Sequence, residues 1–255
     1  MDLRHFYKLT EQYFYSGLSK LSREDLEKYL HVTREDLRLE NIAEQLFRSL
    51  QNKQMYPNII KFDKNIDQFR KILEDFNCHD ILRRYNDSDR LLNEFVDKFN
   101  ITKPQNTKSA WSMYAKSIIS AASFLSTFNS GEEFNVFVKR FSLNDISEAA
   151  LPLLLEKEIF GLGFSLACDF LKELGYTNYS KPDVHIKDIF KSLEISDGSD
   201  YDTFKKIIMI SRSASATAYR VDKMLWLICS GNYYLHDMKI NSSRKDFINF
   251  CLENS

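Results

Sequence analysis

Hydrophobic residues recur at helical spacing along nearly the whole chain. Between positions 33 and 51, for example, the apolar side chains fall on one face of a helix: Leu39, Ile42, Ala43, Leu46, Phe47 and Leu50. Capping pairs precede two of the helices, Ser22 with Asp25 and Thr33 with Asp36. The spacing predicts helices over roughly 2–18, 22–30, 33–51, 66–76, 88–99, 108–128, 132–141, 146–157, 164–174, 184–193, 201–211, 214–229 and 243–252. No segment alternates convincingly as a strand does, so we expect an all-α fold.

The composition narrows the class of protein. Glycine (7) and proline (4) are too scarce for the many turns of an all-β fold, and 255 residues suffice for one large domain or two lobes. The four cysteines are too widely separated for a metal knuckle or a clustered iron–sulfur site: Cys78, Cys168, Cys229 and Cys251. The N-terminus is too polar for a signal peptide, and no apolar run reaches membrane-spanning length. We therefore expect a cytoplasmic protein with reduced thiols and no membrane partner.

The charge is balanced overall but segregated along the chain. The net charge is −1, whereas nucleic-acid-binding proteins usually carry a basic surface. Two stretches nevertheless contain basic residues and no acid: Ile101–Gly131, with Lys103, Lys108 and Lys116, and Thr203–Val221, with Lys205, Lys206, Arg212 and Arg220. Each stretch fits either a phosphate-binding surface or an ordinary solvated helix face.

The segment Lys157–Ile195 carries the candidate chemistry. It begins as a helix, turns through Gly161-Leu162-Gly163 and re-enters a helix at Phe164. Glycines adopt conformations that other residues resist, and amides at the start of a helix can bind an anion such as a DNA phosphate. By itself the turn equally fits a plain helical hairpin. It is no dinucleotide-binding fingerprint, because no strand precedes it and the third glycine is missing.

Lys181-Pro182-Asp183-Val184-His185 follows some twenty residues downstream and supplies a family resemblance. The pair of segments, IFGLGFSLA and PDVHIKDIF, resembles the hairpin LPGhGxxTA and the motif hDxHhxR of the helix–hairpin–helix superfamily of base-excision DNA glycosylases. The two hairpin glycines match Gly161 and Gly163, the small residue matches Ala167, and the Asp-x-His pair matches Asp183 and His185. Weaker similarities extend the resemblance from Asn41 to Ser230: Asn41–Lys53, Tyr114–Leu125 and Val221–Leu227.

The resemblance implies two helical lobes with an active-site cleft between them. One lobe, residues 41–178, would carry the helix–hairpin–helix, and residues 1–40 with 179–255 would form the other. Asp183 would be the catalytic carboxylate, with His185 buttressing its loop by hydrogen bonding. An Asp at a helix start is also an ordinary N-cap, and there the helix dipole and free amides would favour its charged form.

The resemblance also implies how this chain would engage duplex DNA. Gly161, Gly163, Ser165 and Lys187 would contact the backbone, and Gln51 or Asn52, in the segment Leu50–Gln54, would fill the gap left by a flipped base. Aromatic candidates for the base pocket are Tyr56, Trp111, Tyr114, Phe164 and Trp226. We expect no metal and no cofactor, with a monovalent cation bound at the hairpin as the alternative. We also expect a monomer.

Ser165 decides the predicted subclass. Bifunctional members of the family carry a lysine at this position, whose amine attacks the sugar and permits strand cleavage. Serine without a neighbouring base is a poor nucleophile, so the resemblance implies a monofunctional glycosylase that uses water and leaves an abasic site. The alternative is that the amine of another lysine, Lys172 or Lys181, attacks the sugar instead.

Three functions remain after the sequence alone. The first is a glycosylase for an alkylated base or a hypermodified base of the phage type, serving repair or antiviral defence. The second is a non-catalytic helix–hairpin–helix DNA-binding protein. The third is an unrelated all-α interaction domain.

Overall fold

A computed structural model of the chain describes residues 2–16, 21–32, 38–53, 56–102, 106–241 and 243–255. The predicted cap of Thr33 with Asp36 lies outside these residues, as do Lys103 and Gln54. The all-α prediction is confirmed.

Helices account for most of the described residues. Their bounds are α1 Leu3–Ser16, α2 Arg23–Tyr29, α3 Leu39–Leu50, α4 Tyr56–Ile60, α5 Ile66–Ile72, α6 Cys78–Arg84, α7 Ser88–Phe99, α8 Ala110–Leu125, α9 Gly131–Lys139, α10 Asp145–Glu158, α11 Phe164–Glu173, α12 Val184–Ser192, α13 Asp200–Ser213, α14 Ala218–Ser230 and α15 Arg244–Glu253. Short 3-10 turns occupy Asp63–Asn65, Glu74–Phe76 and Tyr234–His236. Strands β1 (Asn232–Tyr233) and β2 (Met238–Lys239) form an antiparallel pair.

Three features differ from the predicted elements. The predicted helix over 66–76 ends at Ile72, because Glu74, Asp75 and Phe76 have positive φ angles of 49°, 49° and 66°. This turn puts the Phe76 ring into the core, where it is 1 % exposed. Helices α4 and α6 were not predicted, since five and seven residues are too few to establish a period. The strand pair was missed for the same reason.

The chain forms two compact units. The terminal unit comprises residues 1–34, 144–149 and 175–255, and the central unit comprises 35–143 and 150–174. Residues 144–149 and 175–178, expected in the 41–178 lobe, cluster with the terminal unit. The assignment of a functional lobe to each unit stays a prediction.

Aromatic side chains fill the core of the central unit. Phe62 stacks on Phe69 with ring centroids 4.8 Å apart, and Phe95 lies 5.4 Å from Trp111 and 6.1 Å from Tyr114. These rings come from α5, α7, α8 and the turn before α5, so their packing holds those elements together. Aromatic pairs at such distances stabilise a core by about 0.5–1.5 kcal/mol beyond the area they bury.

An ion cluster around Arg220 joins three helices of the terminal unit. From α14 its guanidinium donates to Glu27 Oε2 on α2 at 2.8 Å and to the Tyr15 hydroxyl on α1 at 2.7 Å. The Arg220 hydrogen bond is the main reason that the pKa of Glu27 falls to about 2. Arg212 is likewise paired, with Glu148 at 2.8 Å and with Asp145. Two cations of the Thr203–Val221 stretch are therefore occupied within the terminal unit.

We expect Glu27→Gln to lower the free energy of unfolding near pH 6 by about 1–2 kcal/mol, because it removes a charge-assisted hydrogen bond at a partly exposed site. Glu27 has a lowered pKa in the folded protein, so its contribution is present above the unfolded pKa and is lost as pH falls. The gap between wild type and variant should close between pH 5 and pH 2 in urea titrations, because folding lowers the pKa of Glu27 from its ordinary 4.5 to about 2.

Glu24→Gln is the matched control, because Glu24 lies exposed on the same helix. A gap for Glu27→Gln that stays constant across this pH range would contradict the prediction.

Candidate active site

Asp183 begins α12 and has one carboxylate oxygen fixed. Its backbone is extended (φ −80°, ψ 173°), and Oδ1 accepts the Ile186 backbone N–H at 2.9 Å, so it is the N-cap of the helix. Oδ2 accepts no hydrogen bond from the residues that the structure describes. The carboxylate is partly buried and held in one orientation with one oxygen available.

Burial raises the pKa of Asp183 above its ordinary value. Desolvation is the largest cause, and the nearby Asp222 carboxylate adds to it. The Ile186 N–H, His185 and Lys181 lower the pKa of Asp183 but do not offset its burial. The helix N-terminus favours the charged form as expected, through the Ile186 amide, but burial outweighs it and the pKa of Asp183 rises.

Asp222 anchors the segment that leads to Asp183. It is 2 % exposed on α14, and its Oδ2 accepts the Lys181 backbone N–H at 3.1 Å. The Tyr219 backbone N–H, one turn earlier on the same helix, donates to the Thr177 carbonyl at 2.9 Å. Two hydrogen bonds from α14 thus fix the loop before α12. Sequence reasoning missed this role of Asp222, although a lone acid beside Val221 in an apolar helix was a usable signal.

His185 and Lys187, both on α12, differ from expectation. His185 has a buried Nδ1 with no hydrogen-bond partner among the described residues, so the predicted buttressing hydrogen bond is not made there. Lys187 Nζ lies 2.7 Å from Asp200 Oδ1, so a DNA phosphate would have to compete with this carboxylate.

The turn between α10 and α11 lies in the central unit, and its two glycines differ. Gly161 has φ +84°, and a Cβ there would lie 2.3 Å from the Ser117 Oγ. Gly163 is the N-cap of α11 with φ −80°, which any residue adopts, and a Cβ there would meet nothing within 4 Å. The fold therefore requires glycine at 161 but not at 163. At 163 the missing side chain leaves the backbone open to an approaching surface.

A pocket of 320 Å³ lies against this turn. It is lined by Lys53, Glu156, Gly161, Leu162, Gly163 and Leu166. Lys53 therefore faces the same space as both glycines, a contact that sequence reasoning missed. Ser165, in the first turn of α11, is partly exposed.

The two wedge candidates have different surroundings. Gln51 is 5 % exposed, and its Oε1 accepts the Phe62 backbone N–H at 2.9 Å, so it holds the turn after α3 in place. We therefore reassign Gln51 from the DNA contacts to this structural role. Asn52 is exposed and lines a 360 Å³ pocket with Asn58 and Lys61.

Most of the base-pocket candidates are core residues. Tyr114 is 1 % exposed and donates its hydroxyl hydrogen to the Phe47 carbonyl at 3.0 Å, and Trp111 is 8 % exposed among phenylalanines. Neither ring has a free face on which a base could stack, so both are reassigned to the core. Phe164 is also buried, while Tyr56, on α4, and Trp226, on α14, are partly exposed.

Lys172, one of the candidate amines, has two acidic neighbours in the structure. It is 7 % exposed, and its Nζ lies 3.1 Å from Asp169 Oδ1 and 3.4 Å from Glu173 Oε1. An amine held between two carboxylates in this way is poorly placed to attack a sugar.

No protein-family model, curated protein or solved structure matches the chain. The described ranges contain no group of three or more His, Cys, Asp or Glu side chains placed to hold a metal ion. Within those ranges, too, every helix is too short or too polar to cross a membrane.

We expect Gly161→Ala to destabilise the protein and Gly163→Ala to leave its stability nearly unchanged. At 161 the left-handed backbone costs a residue with a Cβ about 1–2 kcal/mol, and the Ser117 contact adds to this. At 163, a poorer N-cap and a less flexible unfolded chain have opposite effects of about 0.5–1 kcal/mol each. Urea titrations of both variants would test the contrast, and equal destabilisation would contradict it.

We expect Asp183→Asn to be as stable as wild type or more stable at pH 7. Asparagine retains the N-cap hydrogen bond and removes a partly buried charge. Because folding raises the pKa of Asp183, the wild-type protein loses stability as pH rises through that pKa. The advantage of the variant should shrink as pH falls below the raised pKa, as measured by urea titration.

Asp183→Ala is the comparison, because it removes charge and cap together and should cost about 1 kcal/mol through the lost cap. Clear destabilisation by Asp183→Asn at pH 7 would show that the charge itself stabilises the fold, contrary to this account.

Proposed function

We propose that the chain is a monofunctional DNA N-glycosylase that hydrolyses the bond between deoxyribose and a damaged or modified base. The observation that carries the proposal is the Asp183 carboxylate, fixed through Oδ1 by the Ile186 N–H at 2.9 Å and left with Oδ2 available. A residue needed only as a cap gains nothing overall from a charge at this site, because burial outweighs the favourable helix amide and asparagine caps as well. Residues that lower stability for the sake of a reaction are typical of active sites.

The chemistry matches that carboxylate. Cleavage of an N-glycosidic bond develops positive charge on the sugar, which a nearby anion stabilises. A carboxylate whose pKa is raised is also a better proton acceptor, and it can deprotonate the attacking water through the free Oδ2. Asp222 acts on this step through the position of the loop, since it accepts the Lys181 N–H at 3.1 Å, and through its charge, which adds to the raised pKa of Asp183.

Water is the proposed nucleophile. Ser165 stands where bifunctional relatives of the resembled family carry lysine, and the amine of Lys172 is held by Asp169 at 3.1 Å. The product would be an abasic site in an intact strand. Lys181 is the remaining amine near Asp183 in the sequence, and reductive trapping tests it directly.

The turn between α10 and α11 is the proposed contact to the DNA backbone. Gly163 leaves its backbone open, and Lys53 brings a cation to the same 320 Å³ pocket. Amides at the first turn of α11 and a lysine beside them suit a phosphate oxygen. Asn52, exposed on the turn that follows α3, is the proposed wedge.

The resemblance implies two substrate classes, an alkylated base or a hypermodified base of the phage type. The competing proposal is a DNA-binding protein without activity on the same scaffold, and the experiment below separates the two.

We expect wild-type protein to produce alkali-labile abasic sites in at least one of four genomic DNA preparations: alkylated, deaminated, oxidised or phage-modified. Asp183→Asn should lower the single-turnover rate by at least about 10²-fold, a typical size for loss of a catalytic acid–base group. The rate of wild type should rise with pH through the raised pKa of Asp183, because the ionised form is active.

Asp183→Asn should still bind a duplex containing an abasic analogue, which separates loss of chemistry from loss of binding. Borohydride should trap no covalent complex with the wild-type protein. Salt-sensitive DNA binding without base release from any preparation would favour the non-catalytic protein, and equal rates for wild type and Asp183→Asn would exclude Asp183 as the catalytic group.

A further inference from the structure

A further pocket lies in the terminal unit, between α12, α14 and α15. Its volume is 640 Å³, within the range of about 300–1,000 Å³ usual for ligand sites. Its lining comes from three elements: His185, Asp188, Lys191 and Ser192 on α12, Cys229 on α14, and Ser243, Arg244, Lys245 and Ile248 at the start of α15.

The lining is cationic, and two of its cations are unpaired. Arg244 is held by Asp188 at 2.6 Å, whereas Lys191 and Lys245 have no acidic partner among the described residues. His185 lines the same pocket, and its buried Nδ1 has no hydrogen-bond partner among the described residues. Positive charge without a compensating acid indicates an anionic ligand.

The start of α15 adds backbone donors. Ser243 is its N-cap and accepts the Asp246 N–H at 3.0 Å, which leaves the N–H groups of Arg244 and Lys245 without an intrahelical acceptor. This ten-residue helix therefore presents its positive dipole end to the pocket. The hydroxyls of Ser192 and Ser243 also line the pocket and can donate hydrogen bonds.

These groups suit a phosphate better than a base. Cys229 and Ile248 are the lining residues without a charged group or a hydroxyl, and the lining contains no aromatic ring other than the imidazole of His185. Lysines, serines and backbone N–H groups are the usual partners of phosphate oxygens.

The pocket is also close to Asp183. His185, two residues further along α12, lines it and is among the groups that lower the pKa of Asp183. Burial raises the pKa of the Cys229 thiol to about 12, and the carboxylates of Asp183 and Asp188 add to this, whereas Arg244 opposes it. The pocket and Asp183 thus share one electrostatic environment.

We propose that this pocket binds a phosphodiester group of the DNA strand on which Asp183 acts, with Lys191 and Lys245 as its cationic contacts. The inference rests on the proposed function. About two turns of α12 separate Asp183 from Lys191, about 12 Å at the helical rise, which corresponds to about three or four nucleotide spacings of ~3.4 Å along a strand.

The test uses a fluorescein-labelled duplex with a central tetrahydrofuran abasic analogue, titrated at several salt concentrations between ~50 and ~200 mM KCl. We expect the double variant Lys191→Gln/Lys245→Gln to bind several-fold more weakly than wild type at the lowest salt. Its slope of log K against log[KCl] should be smaller by about 1, the value for one lost phosphate contact. Both lysines are exposed, so the variant should fold, as circular dichroism can confirm.

Lys239→Gln is the matched control, since Lys239 is an exposed lysine of the same unit that does not line the pocket. It should keep the wild-type slope. If wild type and the double variant bind with equal slopes, the pocket inference is wrong while the proposed function stands.

Absence of duplex binding by wild type at low salt would instead overturn the proposed function and, with it, a DNA source for the phosphate. Calorimetric titration with inorganic phosphate then decides the chemistry of the pocket. Binding that the double variant lacks would support a site for a free phosphate group, and no binding would overturn the inference entirely.

Discussion

The hydrogen bond from the Lys181 backbone N–H to the buried Asp222 carboxylate is the constraint on which the candidate active site depends. Asp222 lies in an apolar helix and is only 2 % exposed. Burial of its carboxylate is costly unless hydrogen-bond donors satisfy it. The loop before α12 supplies one such donor, so the position of Asp183 and the burial of Asp222 are linked. Changing either residue alters the environment of the other, because Asp222 also raises the pKa of Asp183.

Charge pairing explains how a chain with a net charge of −1 could still present local positive surface. The cations that the sequence made most conspicuous, Arg212 and Arg220, are engaged with Glu148 and Glu27 and stabilise the terminal unit. Lys191 and Lys245, two of the described cations without an acidic partner, lie in segments where acids are interleaved in the sequence. Runs of like charge along a chain therefore do not by themselves determine the surface field, because tertiary pairing compensates some of those charges and leaves others uncompensated.

Helical periodicity was sufficient to predict the fold class and most helices, because faces such as that of α3 repeat over several turns. It could not predict α4, α6 or the strand pair, which are too short to show a period. The start of α12 at Asp183 was predictable from local chemistry, whereas the net sign of its pKa shift was not, since burial depends on residues distant in sequence. For the same reason Gln51, Trp111 and Tyr114 looked like contact residues in the sequence and are buried in the structure.

The two glycines of the α10–α11 turn separate what the fold needs from what a partner would need. Gly161 is required by its positive φ and by the approach of Ser117, so its presence carries no functional information. Gly163 has an ordinary backbone and open space where a side chain would be, and Lys53 lies at the same pocket. Asp183 presents the same distinction, because its cap could be made by asparagine while its charge lowers stability. A position points to function when folding alone does not explain its residue type. Gly163 and Asp183 are two such positions in this chain.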